Sequence, residues 1–214
     1  MPRDPHRDQP IFVWGATLDT ASAAIVMVHG RGASVEDMRA LASEIERPNV
    51  AYIAPAGAGH TWYPYSLLEP MQRNESYLSS ALRLLERASA KASDAKIPSE
   101  RLALFGFSQG GCVAVEFAAR HARRYGAVIG LSAGLIGPEG TPRDYKGSLD
   151  GTPVFLGCGD VDPNIPKRRV DHTAEVLGRM GAVVDKRIYP GMGHTVSADE
   201  IAVVRGLVKE LARE

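Results

Sequence analysis

Two stretches, GFSQG at 106–110 and GLSAG at 130–134, write one pattern, Gly-x-Ser-x-Gly. A serine flanked this way suits covalent catalysis, because small neighbours allow a sharp strand-to-helix turn that lifts the hydroxyl clear. The hydroxyl is a weak nucleophile until a base takes its proton, and a third group must stabilise the charged base. Both serines cannot be the nucleophile of one such triad. Ser108 has the better flanks: RLALF (101–105) reads as a strand before it, and CVAVEFAARHARR (112–124) as a helix after it. A helix start there adds free N–H groups and a positive dipole end where negative charge forms. Ser132 has a strand, GAVIGLS (126–132), before it, but AGLIGPEGTP after it is too rich in glycine and proline for a helix. GLSAG therefore reads as a strand end and loop that lines a pocket at most.

The elbow arrangement runs Ser, acid, His along the chain. Of six histidines, His6 lies in the polar start, His29 and His60 precede the serine, and His121 and His172 fall within helical patterns. Only His194, in YPGMGHTVS, sits in a glycine-rich loop after the last strand pattern, where it can swing over the elbow. TPVFLGCGDVDPNIP offers two acids, Asp160 and Asp162, and spacing does not choose between them. One can orient His194 while the other caps the loop. An oxyanion hole needs two aimed backbone N–H groups. Gln109, next to the nucleophile, supplies one, and Arg31 in HGRGAS (29–34) the other, between two glycines that admit close backbone approach. Trp62, Tyr65, Leu131 and Met192 are candidate pocket walls.

These residues need a scaffold that gathers them at one rim. AAIVMVHG (23–30), NVAYIAP (49–55), RLALF, GAVIGLS, TPVFLGC (152–158) and AVVDKRIYP (182–190) read as strands. Between them lie helical patterns at 34–47, 74–92, 112–124, 167–180 and 197–214, with Ser34 as an N-cap and Ser197–Glu200 as a capping box. The alternation predicts an α/β fold, a mostly parallel sheet covered by helices on both faces. In such sheets ligands sit beyond the carboxyl ends of the strands, where every motif above falls. Residues 1–21, starting MPRDPHRDQP, read as a loose arm with room for a first strand, and 22–214 as one domain.

The 214 residues carry 25 basic and 25 acidic side chains, and this balance argues against nucleic acid as a partner. No run approaches the roughly 18 apolar residues of a membrane span. Cys112 and Cys158 make no disulfide framework and read as buried structural thiols, which fits a cytoplasmic setting. No cofactor is implied. A rival metal site of His60, Asp160, Asp162 and His194 lacks a recognised ligand spacing. A second rival is a binding protein on the same scaffold, because fold does not prove function.

HGRG, GFSQGG, GDVDPNIP and GMGH, in that order, resemble the phospholipase/carboxylesterase family of α/β-hydrolases over about residues 22–212. The resemblance implies an α/β-hydrolase fold and a serine esterase or thioesterase acting on a small-molecule ester or thioester through an acyl-enzyme. It implies Ser108 as nucleophile, His194 as base and Asp162, the second aspartate of D-x-D-P, as acid. It makes Arg31 and Gln109 the oxyanion-hole residues, sets Trp62 near the substrate groove, and implies a homodimer. Cys158-Gly159 stands where the family often has His before Gly-Asp, and Arg31 where thioesterases commonly have Leu, so a guanidinium there favours a polar or acidic substrate. HTWYPYSLLEP (60–70) is more similar to a bacterial esterase subgroup than to depalmitoylating enzymes.

Overall fold

A computed structural model describes residues 4–213. Seven strands form one sheet in the order β1-β3-β2-β4-β5-β6-β7. The strands are β1 (Ile11–Gly15), β2 (Ala23–Val28), β3 (Val50–Pro55), β4 (Leu102–Phe107), β5 (Ala127–Leu131), β6 (Pro153–Gly159) and β7 (Val183–Tyr189). Only β1 runs antiparallel, at the edge against β3. The others are parallel, as their continuous apolar runs and intervening helices require.

The pleat divides the inner strands between two cores. Along β2, Ala24, Val26 and Val28 enter one core, and Ala23, Ile25 and Met27 the other. The first core is covered by α2 (Met71–Asp94), α3 (Gln109–Arg120) and α4 (Lys167–Arg179), through residues such as Leu85, Phe117 and Val170. The second is covered by α1 (Val35–Ser43) and α5 (Ala198–Leu211), through Met38, Val204 and Val208. This is the α/β-hydrolase arrangement, with helices on both faces.

Both expected caps form. Asp37 reaches back to the Ser34 amide at 2.8 Å. Glu200 accepts from the Ser197 amide at 2.6 Å and donates its own amide to the Ser197 hydroxyl at 3.2 Å. Helix α3 starts at Gln109 rather than 112, because Gly110 and Gly111 enter its first turn despite their low propensity.

The start of the chain is a correction. Residues 4–10 are not a loose arm: His6 is fully buried, and its amide donates to Ser80 Oγ at 2.8 Å. Its ring accepts from the Ala58 amide at 3.1 Å and meets the Trp62 carbonyl at 3.0 Å. An amide can only donate, so Nδ1 is the bare nitrogen and Nε2–H donates to Trp62. Asp4 pairs with Arg83 at 3.1 Å. These partners lie far along the chain, so no local pattern announced them.

Candidate active site

Strand β4 delivers the chain to Ser108, whose φ of 55° and ψ of −126° are strained for a residue with a side chain. Helix α3 leaves at once. It can lie this close to β2 because a β-carbon on Gly110 would fall 2.1 Å from the Val28 carbonyl oxygen, space that only glycine leaves. Ser132 also has a positive φ, 44°, at the end of β5. No helix follows it before α4, and it is fully buried. GLSAG makes a bend without an elbow.

His194 lies in the loop between β7 and α5. Its Nε2 is 2.8 Å from Ser108 Oγ, and its Nδ1 is 2.7 Å from Asp162 Oδ2. The Phe107 ring packs on the imidazole, 4.9 Å between centroids. Burial alone would raise the Asp162 carboxyl. Hydrogen bonds from His194 and from the Ile165 and Asn164 amides outweigh that and hold it below the ordinary value. An ionised Asp162 fixes the proton on Nδ1, which leaves the Nε2 lone pair facing the serine hydroxyl. Asp160 serves the loop instead. Its carboxylate accepts from the Gly191 amide at 2.7 Å and ties down the segment that carries the histidine.

Arg31 and Gln109 both line a cavity of about 430 Å³ with Ser108 and His194. Among the described residues, neither backbone amide has a hydrogen-bond acceptor. Gln109 also heads α3, so the positive helix end adds to its amide. The Gln109 side chain accepts from the Trp62 amide at 2.9 Å and from Thr61 at 3.0 Å, and donates to the Tyr63 carbonyl at 2.7 Å. The Arg31 guanidinium donates to the carbonyls of Tyr63, Pro64 and Tyr65 at 2.8–2.9 Å. It braces the cavity wall.

The candidate walls divide. Tyr65 lines the cavity, 43% exposed, with Arg73 3.9 Å over its ring. Trp62 does not: it is fully buried, and its indole N–H donates to the His29 carbonyl at 2.7 Å. Leu131 does not either, because the pleat turns it into the core beneath α1 and α5. Met192 lies outside the lining; its carbonyl packs against Gly159 and accepts from the Val161 amide at 3.3 Å. Sequence reasoning missed Tyr63, Leu67, Asn164 and Ile165, which do line the cavity. The last two follow Asp162 within DPNIP, so their adjacency to the acid was the available signal.

Cys112 also borders the cavity, but burial pushes its thiol up to about 11. Burial and the neighbouring Asp162 push Cys158 up to about 12, and both cysteines are free thiols. Neither has the lowered value of a reactive thiolate. Among the described residues, no three His, Cys, Asp or Glu side chains gather as metal ligands, and His60 is turned to the Ala33 carbonyl at 3.0 Å. No helix among them is long and apolar enough to cross a membrane.

The chain has known relatives. The family model described as Phospholipase/Carboxylesterase matches residues 15–211. A solved phospholipase/carboxylesterase from Dyadobacter fermentans superposes with a TM-score of 0.91 at 38% identity, over 94% of this chain and 97% of that one. Acyl-protein thioesterase 1 of Gibberella zeae is 33% identical over 120 residues, 55% of this chain, and the match spans about half (51%) of that relative's length. Acyl-protein thioesterase 1 of Debaryomyces hansenii is 24% identical over 93% of this chain and 95% of its own.

Proposed function

The chain belongs to the phospholipase/carboxylesterase family, a family of ester and thioester hydrolases, and from that premise we propose that it is a serine hydrolase working through an acyl-enzyme. His194 Nε2 takes the Ser108 proton as the oxygen attacks the acyl carbon. The amides of Arg31 and Gln109 receive the oxyanion, and α3 adds its positive end. His194 then protonates the leaving alcohol or thiol. Water enters, His194 deprotonates it for attack on the acyl carbon, and the imidazolium returns that proton to Ser108 Oγ as the acyl–oxygen bond breaks and the acid product departs. Asp162 holds the imidazole in the tautomer that both half-reactions use and stabilises its charged form.

One observation carries this reading: the continuous hydrogen-bond chain from Ser108 Oγ through His194 to Asp162, at 2.8 and 2.7 Å, facing a cavity with two amides unpaired among the described residues. The cavity of about 430 Å³ suits a small-molecule ester. A cytoplasmic setting belongs to the same reading and rests on the free thiols. Assembly as a homodimer rests on family likeness.

The test is Ser108→Ala. Turnover of p-nitrophenyl esters should fall by roughly three orders of magnitude or more with the fold intact. A fluorophosphonate probe should label the parent and not the variant. A variant that hydrolyses at the parental rate, or a parent that resists the probe, overturns the mechanism.

A further inference from the structure

A second cavity, of about 290 Å³, is lined by Leu68, Glu139, Gly140, Arg168, Arg169 and His172. The same two segments wall both cavities. Leu67 and Ile165 face the catalytic one, and Leu68 and Arg168 the second.

Arg169 is the anomaly. It is only 6% exposed and lines the second cavity. Its backbone is fully used, with its amide on Pro166 and its carbonyl accepting from Thr173. Among the described residues, its guanidinium makes no hydrogen bond and no ion pair. Its stem is pinned. A β-carbon on Gly134 would lie 2.6 Å from Arg169 Cγ, so the chain lies flat on the last glycine of GLSAG. Thr173 stitches that loop to α4 by accepting from the Leu135 amide at 2.9 Å.

The surrounding charges deepen the anomaly. Burial pushes the Arg169 guanidinium below its ordinary value, and the nearby cation Arg143 pushes the same way. Arg143 is itself buried, with Nε and Nη2 unpartnered among the described residues and its acid, Glu116, 3.8 Å away. Helix α4 opens with Lys167, Arg168 and Arg169 and has no acidic residue in its first turn, the wrong sign for a helix start. Asp171 offsets Lys167 at 2.7 Å. Glu139 and Glu175 lie near enough to act on Arg169 and His172, yet neither pairs with them. Unlike the Arg143 nitrogens, those of Arg169 keep access to the solvent of the cavity, so an anion entering it meets an unused fork of charged donors that is already partly desolvated.

We infer that Arg169, with Arg168 and His172, forms a pocket for an oxyanion, a carboxylate or a phosphate, held in a forked guanidinium bond. The oxyanion has two sources with one chemistry. It is the far end of an ester substrate, which rests on the proposed hydrolase function, or a free small anion, which does not.

The full chain is melted in about 20 mM inorganic phosphate or succinate, against chloride at equal ionic strength. At the millimolar affinity expected for one forked contact, Tm rises by about 4 °C. Arg169→Met, which keeps an apolar stem on Gly134, loses the shift but not the starting Tm, because no partner is removed. Arg168→Met, at an exposed position that folds regardless, keeps roughly half of it. A parental Tm that ignores both anions, or an equal shift in Arg169→Met, overturns the pocket. The source follows from kinetics on the nitrophenyl hexanoate ester and the nitrophenyl monoester of adipate. A loss of about tenfold in kcat/KM in Arg169→Met relative to the parent, carried by KM and confined to the acidic ester, assigns the pocket to substrate. Equal rates with the melting shift retained assign it to a free anion. If neither ester is hydrolysed, the hydrolase reading fails while the melting experiment still decides the pocket.

Discussion

Gly159 is the position where one methyl group should separate activity from folding. It ends β6, just before Asp160, and its φ is not in the left-handed region, so alanine suits the backbone and only space is missing. A β-carbon there would lie 1.8 Å from the Met192 carbonyl oxygen, 2.4 Å from its carbon and 2.8 Å from the Gly193 oxygen. Real contacts of this kind do not close below about 3 Å, so the loop must retreat by more than about 1 Å. That loop carries His194, and the 2.8 Å bond to Ser108 opens with it. A misplacement of about 1 Å costs about 100-fold in rate, or about 2.7 kcal/mol of barrier. The crowding itself costs about 1–3 kcal/mol of stability, a fall of several degrees in Tm. Gly159→Ala should therefore lose about 100-fold in kcat/KM on a p-nitrophenyl ester while its circular dichroism stays native. Gly178→Ala is the control. It lies on α4 with nothing within 4 Å of the added carbon, and should keep full activity and gain about 1 kcal/mol. Parental activity and parental Tm in Gly159→Ala would refute the steric coupling of β6 to the histidine loop.

Asp162→Asn should fold and lose about 10³–10⁴-fold in kcat, because an amide no longer fixes the His194 tautomer; steady-state kinetics would show it, and a loss under tenfold would contradict the assignment. Arg31→Lys keeps the backbone amide but cannot span the carbonyls of residues 63, 64 and 65, so KM should rise roughly fivefold with kcat little changed. Burial pushes both His6 and His29 below the ordinary imidazole value, and each has one nitrogen accepting from an amide, Ala58 and Gly57 respectively. Their folded values lie below the unfolded one of about 6.5, so as pH falls the unfolded chain takes up protons first. Stability should be full above about pH 6.5 and decline below it; Tm measured down to about pH 5 would show the slope, and His6→Gln should flatten it.

The choice between the two serine motifs was legible in the sequence because an elbow has a local grammar. A strand must enter and a helix must leave, and the flanks of Ser108 and Ser132 differ in just that respect. His194 was legible by elimination, since the other histidines precede the serine or lie in helical patterns. Asp160 and Asp162 were not separable along the chain. They stand two residues apart, and which one meets the imidazole depends on how the loop turns after β6. Leu131 was misplaced as a wall for a related reason. An all-apolar buried strand carries no alternation to reveal its pleat phase, so nothing in AVIGL tells whether Leu131 faces a cavity or a core.

Composition and local pattern thus determined the strand–helix alternation, the elbow and the identity of the groups that could do acid–base work, because these follow from neighbours a few residues away. The tertiary structure alone decided that Trp62 is walled in against His29, that the polar start of the chain is anchored through His6, that Arg31 braces a loop, and that Arg169 is buried with no partner among the described residues. Each of these depends on groups tens of residues apart brought within hydrogen-bonding distance, and burial and charge pairing exist only after the chain has closed on itself.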